Sequence, residues 1–433
     1  MFRTATPQER NSERSSDASP LLRYTPPMRP VVLCSLSLAL LGCPTGPNPL
    51  DYDLQALDAS DDQPEPTGPF FCATGTNVDG AVVPTGFCTR RFATIGAPRV
   101  LNFAPNGDLF VSSPSQSTDG GAPPGLGQIV VLSDDNHDGI AEAHVFLGDV
   151  PTVHGIAIAG GFLYYTTSAA IFRTPYIDGQ RVASGPGTMV ASYPMVPGER
   201  WTHGFTRSAA GTLYSALGVY SATTCPDTPR LGQVFRADVG GALTMLSTGY
   251  RNPMYLRCHF RDEACIVAEL GDDGGGSQGA RERMVLLRDN TNYGFPCCTG
   301  RGRSTTANHN VFDCNSVPQE EAEFPLNDTP FGMDWERGRW PAPFRDAIFV
   351  ALHGSFYTVP RWQGTRIVFA ETDPATHAPR GSWNSFVLGF GQGGGPLERA
   401  TDVVFSSDGR MFFADDQGGG VYWVAPANLR SRW

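Results

Sequence analysis

No lysine occurs anywhere in the 433-residue chain; all 32 basic residues are arginine. That absence excludes Schiff-base catalysis and the phosphate loop built on a lysine. Charge is also scarce: 17% of residues are charged and acidic ones prevail, for a net charge of −11. With no basic stripe, the chain lacks the electrostatic footprint of a nucleic-acid partner. Stretches with a 3.6-residue period are nearly missing, which argues against a helical or α/β fold. No Gly-x-Gly-x-x-Gly segment opens a helix after a strand, so a nicotinamide-binding fold is disfavoured. The apolar run Val31–Leu41 is too short to span a bilayer, which takes about 20 residues. What is abundant is glycine (50) and proline (36), beside 40% hydrophobic residues. That mix suits many short strands joined by turns around a sizeable core.

The short apolar run carries an export signal. Arg29 precedes it and Leu40-Leu41-Gly42-Cys43 ends it. The order is a positive flank, an apolar stretch and a small residue at a cleavage point. The ending resembles a bacterial lipoprotein box, whose cysteine takes the lipid and becomes the new N-terminus. Cys43 is therefore expected to be lipidated, and the protein exported and anchored in the cell envelope, at the outer membrane or facing the periplasm. Met28, just before Arg29, offers an alternative start. Residues 1–42 read as a leader and 43–85 as a Pro- and Asp-rich tether with an N-terminal cysteine segment. Residues 86–428 read as the folded domain and 429–433 as a short tail. Apart from Cys34 and Cys43, eight cysteines remain, an even number that points to disulfides in an exported chain. Cys258 with Cys265, flanking a hairpin, is the favoured pair. Cys72 with Cys88, and Cys314 with Cys297 or Cys298, are further options, and connectivity stays open.

From about residue 92 onward one pattern recurs. Two alternating apolar runs flank a turn in Val100–Val111, Gly155–Tyr165, Gly204–Tyr214, Met254–Ala268, Gly332–Ala351 and Asp402–Ala414. Four of the turns are Asn106-Gly107, Gly160-Gly161, Ala210-Gly211 and Asp408-Gly409. Such pairs supply the positive φ that tight hairpins need. One small sheet cannot bury both faces alone, so repeated sheets stack around an axis. The expected architecture is all-β, a six-bladed β-propeller with a long Cys-containing insertion at Gly271–Phe331. A β-sandwich with similar turn spacing is the alternative.

Five segments carry chemistry. His203, in Thr202-His203-Gly204-Phe205, precedes a repeat, where loops gather at one end of the channel; a neutral imidazole there can accept a hydroxyl proton. Arg251 and Asn252 precede the next repeat and offer a fixed planar cation and an amide. Glu269 to Gly276 is acidic and glycine-rich, so Gly271 and Asp272 suit a hard cation such as Ca²⁺. Asp134, Asn136 and Asp138 with Gly139 match the start of a calcium loop, but position 12 is Val145, so this is no EF-hand; a plain Asx-rich turn competes. His353, in His353-Gly354-Ser355-Phe356, is a second histidine near the channel mouth, and no Gly-x-Ser-x-Gly elbow frames its serine.

In this order and spacing the segments resemble the glucose/sorbosone dehydrogenase family, six-bladed propellers that bind pyrroloquinoline quinone (PQQ). The resemblance runs from about Phe92 to Pro426 and is nearest the sorbosone-dehydrogenase-like branch. It rests on Ala104–Phe110, Asp134–Glu142, Thr202–Gly204, Gly249–Pro253, Thr291–Pro296, His353–Phe356 and Asp402–Trp423. It implies that His203 is the general base and that Arg251 and Asn252 hold the quinone's reactive edge. It also implies Ca²⁺ held by backbone carbonyls at Gly271 and Asp272. The implied activity is oxidation of a sugar or related alcohol or aldehyde, with electrons passed to a further acceptor. The soluble glucose dehydrogenases place a lysine on the cofactor's carboxylates; here Arg361 and Arg366 are the available replacements. Two other functions fit the same fold: a non-catalytic surface propeller binding glycan or protein, and a metal-dependent lactonase-like hydrolase.

Overall fold

A computed structural model describes residues 68–431, apart from 74–76, 79, 116–124, 195–198, 220–223, 226–231, 239–240, 274–275, 277–278, 356–363 and 392–396. The leader and Cys43 lie outside the described residues. Among the described residues there is no α-helix, and none long and apolar enough to cross a membrane.

The strands make six four-stranded antiparallel blades. Strand β1 (Phe87–Thr94) comes first in the chain but belongs to the last blade. Blade one is β2 (Val100–Phe103), β3 (Leu109–Ser113), β4 (Leu126–Ser133) and β5 (Glu142–Pro151). Blade two is β6 (Ile156–Ala159), β7 (Phe162–Thr166), β8 (Ala170–Pro175) and β9 (Thr188–Ser192). Blade three is β10 (Phe205–Arg207), β11 (Leu213–Leu217), β12 (Gln233–Ala237) and β13 (Leu243–Thr248). Blade four begins with β14 (Asn252–Cys258), β15 (Cys265–Leu270) and β16 (Glu282–Leu286). After β17 (Thr291–Asn292), β18 (Cys298–Gly300) and β19 (Arg303–Ser304), it ends with β20 (Ala322–Phe324). Blade five is β21 (Pro330–Trp335), β22 (Ile348–Leu352), β23 (Arg366–Thr372) and β24 (Pro379–Val387). Blade six is β25 (Ala400–Phe405), β26 (Met411–Asp415) and β27 (Gly420–Pro426), closed on its outer edge by β1, with Phe87 opposite Pro426.

The first strand of each blade is innermost. β2 packs on β6, β6 on β10, β10 on β14, β14 on β21, β21 on β25, and β25 returns to β2. The six repeats read from the sequence are the six inner hairpins, and the expected propeller is the one formed. Their turns work as the local chemistry requires: Gly107 and Gly409 both sit at φ +94, a conformation that costs other residues.

Aromatic packing fills the space between blades five and six. Trp340 is fully buried, with ring centroids 5.0 Å from Phe87, 5.1 Å from Phe405 and 5.4 Å from Phe349 and Phe386. Its indole N–H donates to Gly409 O at 2.7 Å, which satisfies the one polar group it buries.

The disulfides are Cys72–Cys88, Cys225–Cys297, Cys258–Cys265 and Cys298–Cys314. The favoured pair forms, and of the two options for Cys314 the structure takes Cys298. The insertion is shorter than the span read from the sequence. Residues 282–286 and 322–324 are outer strands of blade four, and the true excursion between them lends β17 to blade three as a parallel fifth strand.

Blade six is locked to its neighbours at Asp402. A Cβ added at Gly332 on β21 would overlap the Asp402 carboxylate. Gly332→Ala should therefore cost roughly 3 kcal/mol or more, read as an earlier urea midpoint at unchanged slope. A variant as stable as the parent would show that blades five and six can part here.

Candidate functional site

Because the strands alternate in direction, segments leading into the innermost strands gather on one face with segments leaving the second strands. On this upper face Arg99, Arg251 and Arg399 each stand one residue before an innermost strand, in blades one, four and six. His154 and His203 each stand two residues before one, in blades two and three. His353 and Asp416 follow β22 and β26.

His203 is fixed through its backbone. Its carbonyl accepts from Thr166 Oγ1 at 2.9 Å and lies 3.2 Å from His154 Nδ1. The ring stands edge-on to Tyr193 at 4.1 Å, and Tyr193 Oη and Ser215 Oγ share a hydrogen bond of 2.5 Å. The imidazole is fully buried, and burial pushes it down to about 4, partly offset by the backbone of Arg200 and Thr167. Neither ring nitrogen makes a well-formed hydrogen bond. The His203 imidazole is thus buried and uncharged at neutral pH.

Arg251 and Asn252 are tied to blade three. Val219 N donates to Arg251 O at 2.7 Å. Gly218 leaves the room that Asn252 fills: a Cβ there would sit 2.9 Å from its Cγ. Arg251 N donates to Glu269 Oε1 at 2.6 Å, and its guanidinium reaches Asp273 Oδ2 at 3.3 Å. Glu269 also takes Arg283, at 2.6 Å. Gly271 N donates to Glu282 Oε2 at 2.6 Å. Burial lifts the Glu282 carboxyl to about 8, against the N–H groups of Asn327 and Gly271 that bind it. Gly271 is buried and Asp272 half-buried beside this carboxyl.

A second cluster covers the axis. Arg99 pairs with Asp416 at 3.1 Å, and His353 Nε2 lies 3.2 Å from the same carboxylate. Burial alone would raise Asp416, but Arg99, His353 and Arg399 together outweigh it and hold it below the usual carboxylate range. His353 stacks on Phe331 at 3.8 Å, and Arg399 donates to the carbonyls of His353 and Gly354, each at 3.1 Å. Tyr255 Oη donates to Arg99 O at 2.8 Å and its ring meets His154 and Phe331, both at 5.3 Å. Burial, then the charge of Arg99, lowers His154 to about 3. Asp416 also borders a cleft of about 600 Å³ lined by Ser113, Gln128, Asp149 and Gln417, which His203 does not reach.

The structure thus brings His203, Arg251, Asn252, Gly271 and Asp272 to one face. It puts Asp134, Asn136 and Asp138 elsewhere, in the β4–β5 loop on the lower face. There the loop is an Asx turn: Asp134 Oδ2 accepts from Gly139 N at 3.0 Å, Asn136 Oδ1 from Asp138 N at 2.9 Å, and Asp138 Oδ1 from Ile140 N at 2.8 Å. Arg410 lies 3.9 Å from Asp134 and opposes the rise that burial gives its carboxyl. Of the lysine replacements, Arg366 is spent on Asp328 at 3.0 Å, and Arg361 lies outside the described residues. Sequence reasoning missed Arg99, His154, Arg399 and Asp416. The first three share with Arg251 and His203 a place one or two residues before an innermost strand, but not a fixed distance from the turn: Arg99 is eight residues before Gly107 and Arg399 ten before Gly409, because β25 is bulged between Ala400 and Val403.

Comparison with known proteins places the fold. No family model matches the chain. An uncharacterized protein of Borreliella burgdorferi is 25% identical over 185 residues, a match covering 42% of this chain and 48% of that protein. The matched part is therefore about half the length of that relative. Among solved structures, the calcium structure of Trichoderma reesei carbohydrate-active enzymes family AA12 aligns with a TM-score of 0.63 at 17% identity, over 85% of this chain and 99% of that one. The holo form of the pyranose dehydrogenase PQQ domain from Coprinopsis cinerea aligns with a TM-score of 0.61 at 16% identity, over 83% and 98%. The soluble aldose sugar dehydrogenase of Escherichia coli, in its apo form, aligns with a TM-score of 0.56 at 14% identity, over 78% and 99%. The chain therefore has the propeller architecture of PQQ-domain and sugar-dehydrogenase structures.

A neutral His203 makes stability depend on pH. Its folded value of about 4 lies below the unfolded value near 6.5, so the folded state holds fewer protons between them. That contribution is full above about pH 6.5 and is lost as pH falls toward 4. In His203→Gln the fall of unfolding free energy over this window should be shallower by about 3 kcal/mol, measured by urea unfolding at each pH. An unchanged slope would mean that the imidazole is charged when folded.

Proposed function

We propose that the protein is a quinoprotein oxidoreductase that oxidises a sugar or a related alcohol or aldehyde, using PQQ and Ca²⁺. The observation that carries this reading is the buried, neutral imidazole of His203, neither of whose nitrogens makes a well-formed hydrogen bond. His154 Nε2, Thr202 Oγ1 and Asn252 Oδ1 on the same face are likewise buried without a partner. Buried polar atoms are normally paired, so such a group of orphans suits a polar ligand. Three guanidinium groups on this face, from Arg99, Arg251 and Arg399, suit a planar polyanion.

In this reading Arg251 and Asn252 would hold the quinone. Arg99, while sharing Asp416, and Arg399 would add the positive charge that lysine gives elsewhere, and Gly271 and Asp272 would hold Ca²⁺. What the bound cofactor supplies is an acceptor for hydride, electronically tuned by the cation. His203 accepts the proton of the substrate hydroxyl at a ring nitrogen, and burial keeps that nitrogen unprotonated at neutral pH. Trp201 and Tyr255, packed about His154, exclude water from the neighbouring wall. The reaction would need a separate electron acceptor, and lipidation at Cys43 would tether the enzyme in the cell envelope. A metal-dependent hydrolase fits less well, since Asp416 and Glu269 are committed to arginines rather than converging on a channel metal. The complete burial of His203 is the observation that favours a non-catalytic propeller.

The test is reconstitution of the mature protein with PQQ and Ca²⁺, followed by dye reduction across a sugar panel. PQQ binding should change the quinone spectrum. His203→Ala should keep that change while losing ~10²-fold or more in rate. Absence of both the spectral change and dye reduction would sink the proposal. Cys43→Ser should move the protein from the membrane fraction to the soluble one.

A further inference from the structure

The lower face carries a cluster that the oxidoreductase reading does not use. β14 ends at Cys258, and its disulfide to Cys265 pinches the intervening turn. Within that turn His259 N donates to Ala264 O at 2.7 Å, and Asp262 Oδ1 accepts from Ala264 N at 2.9 Å. Asp262 is thereby held with Oδ2 toward two imidazoles, 2.8 Å from His377 Nε2 and 3.5 Å from His259 Nδ1. His377 comes from blade five, in the loop between β23 and β24. It is fixed at φ +55, its N–H on Asp373 O at 2.8 Å and its carbonyl under the Trp335 indole N–H at 2.9 Å.

The three donor atoms lie within 4.8 Å of one another. His259 is 4% exposed and its Nδ1 is buried without a hydrogen-bond partner, although it faces Asp262 and His377. The His377 and Asp262 side chains are 20% and 41% exposed, so the cluster opens to solvent on one side. The two rings lie face to face at 3.6 Å and 10°.

We propose that His259, Asp262 and His377 bind a borderline divalent metal ion of the zinc class. Two imidazole nitrogens and one carboxylate oxygen are the donors such ions take, whereas Ca²⁺ and Mg²⁺ take oxygen. Zinc bonds of roughly 2.0–2.2 Å set tetrahedral ligands about 3.3 Å apart, and the two separations to Asp262 Oδ2 bracket that value. Seating the ion needs the stacked rings to turn until their lone pairs converge. The positive groups close by are Arg261 and Arg337, both against the Phe260 ring, and Arg337 is paired with Asp334 at 2.8 Å. A bound ion would clasp blade four to blade five on the face opposite His203 and keep a coordination position toward solvent.

The experiment is calorimetric titration of Zn²⁺ into tag-free, chelator-treated protein, with thermal unfolding alongside. One equivalent should bind and raise the melting temperature, while Ca²⁺ at the same concentration does neither at this site. His377→Ala and Asp262→Asn should each weaken zinc binding by at least ~10-fold. If His377→Ala does not fold, the nearly isosteric Asp262→Asn still decides. No zinc binding by the parent, or unchanged affinity in the variants, would overturn the proposal. Neither PQQ nor turnover enters these readouts, so the result stands apart from the oxidoreductase test.

Discussion

The molecule turns on one buried ion pair across its axis. Asp402, with no exposed surface, accepts from Leu101 N and Val403 N at 2.8 Å and from Arg257 at 2.9 Å. Blades one, four and six thus meet at a single carboxylate. Burial lifts that carboxyl to about 6, and Arg257 is the largest influence opposing it. Removing either partner would strand a buried charge, a cost of about 3–5 kcal/mol. Gly332 beside it is small for the same reason: the carboxylate occupies the space a side chain would need.

The same constraint explains why both faces are organised by β14. Beyond the irregular pairing near Pro253, residues alternate, so Tyr255 and Arg257 share the side facing the axis and His259 follows where the strand ends. Tyr255 closes the channel under the upper-face cluster by reaching Arg99, His154 and Phe331. Arg257 fills the middle, and His259 stands at the lower end. A strand of seven residues therefore sets the floor of one site and a wall of the other.

The hairpins were legible because their chemistry is local. Asn106-Gly107 and Asp408-Gly409 announce their turns within two residues. Cys258 and Cys265 were legible for the same reason, being partners across a tight hairpin. Cys225 and Cys297 are 72 residues apart and met only through the fold. β16 and β20 fall inside the insertion when the sequence is read alone, because other strands separate them and no alternation marks them as a pair. At the site, His203, Arg251 and Asn252 could be picked out by position, but not the burial that makes His203 neutral. Arg99 and Asp416 lie at opposite ends of the propeller sequence, and nothing local to either reports the other. The Asp134 loop was legible as oxygen-rich; that it turns on itself against Arg410, far from His203, follows from which loops share a face.

Blade six is built from both ends of the propeller sequence, with Phe87 paired to Pro426 and Cys72 bonded to Cys88 beside the join. Until the last strand is made, β1 has no partner and the ring is an open arc with bare edges on both terminal sheets. Closure brings together segments separated by most of the domain, the costliest kind of loop to form. Folding of the propeller therefore waits on its last strand: until β27 pairs with β1, the partly made domain holds an aggregation-prone edge.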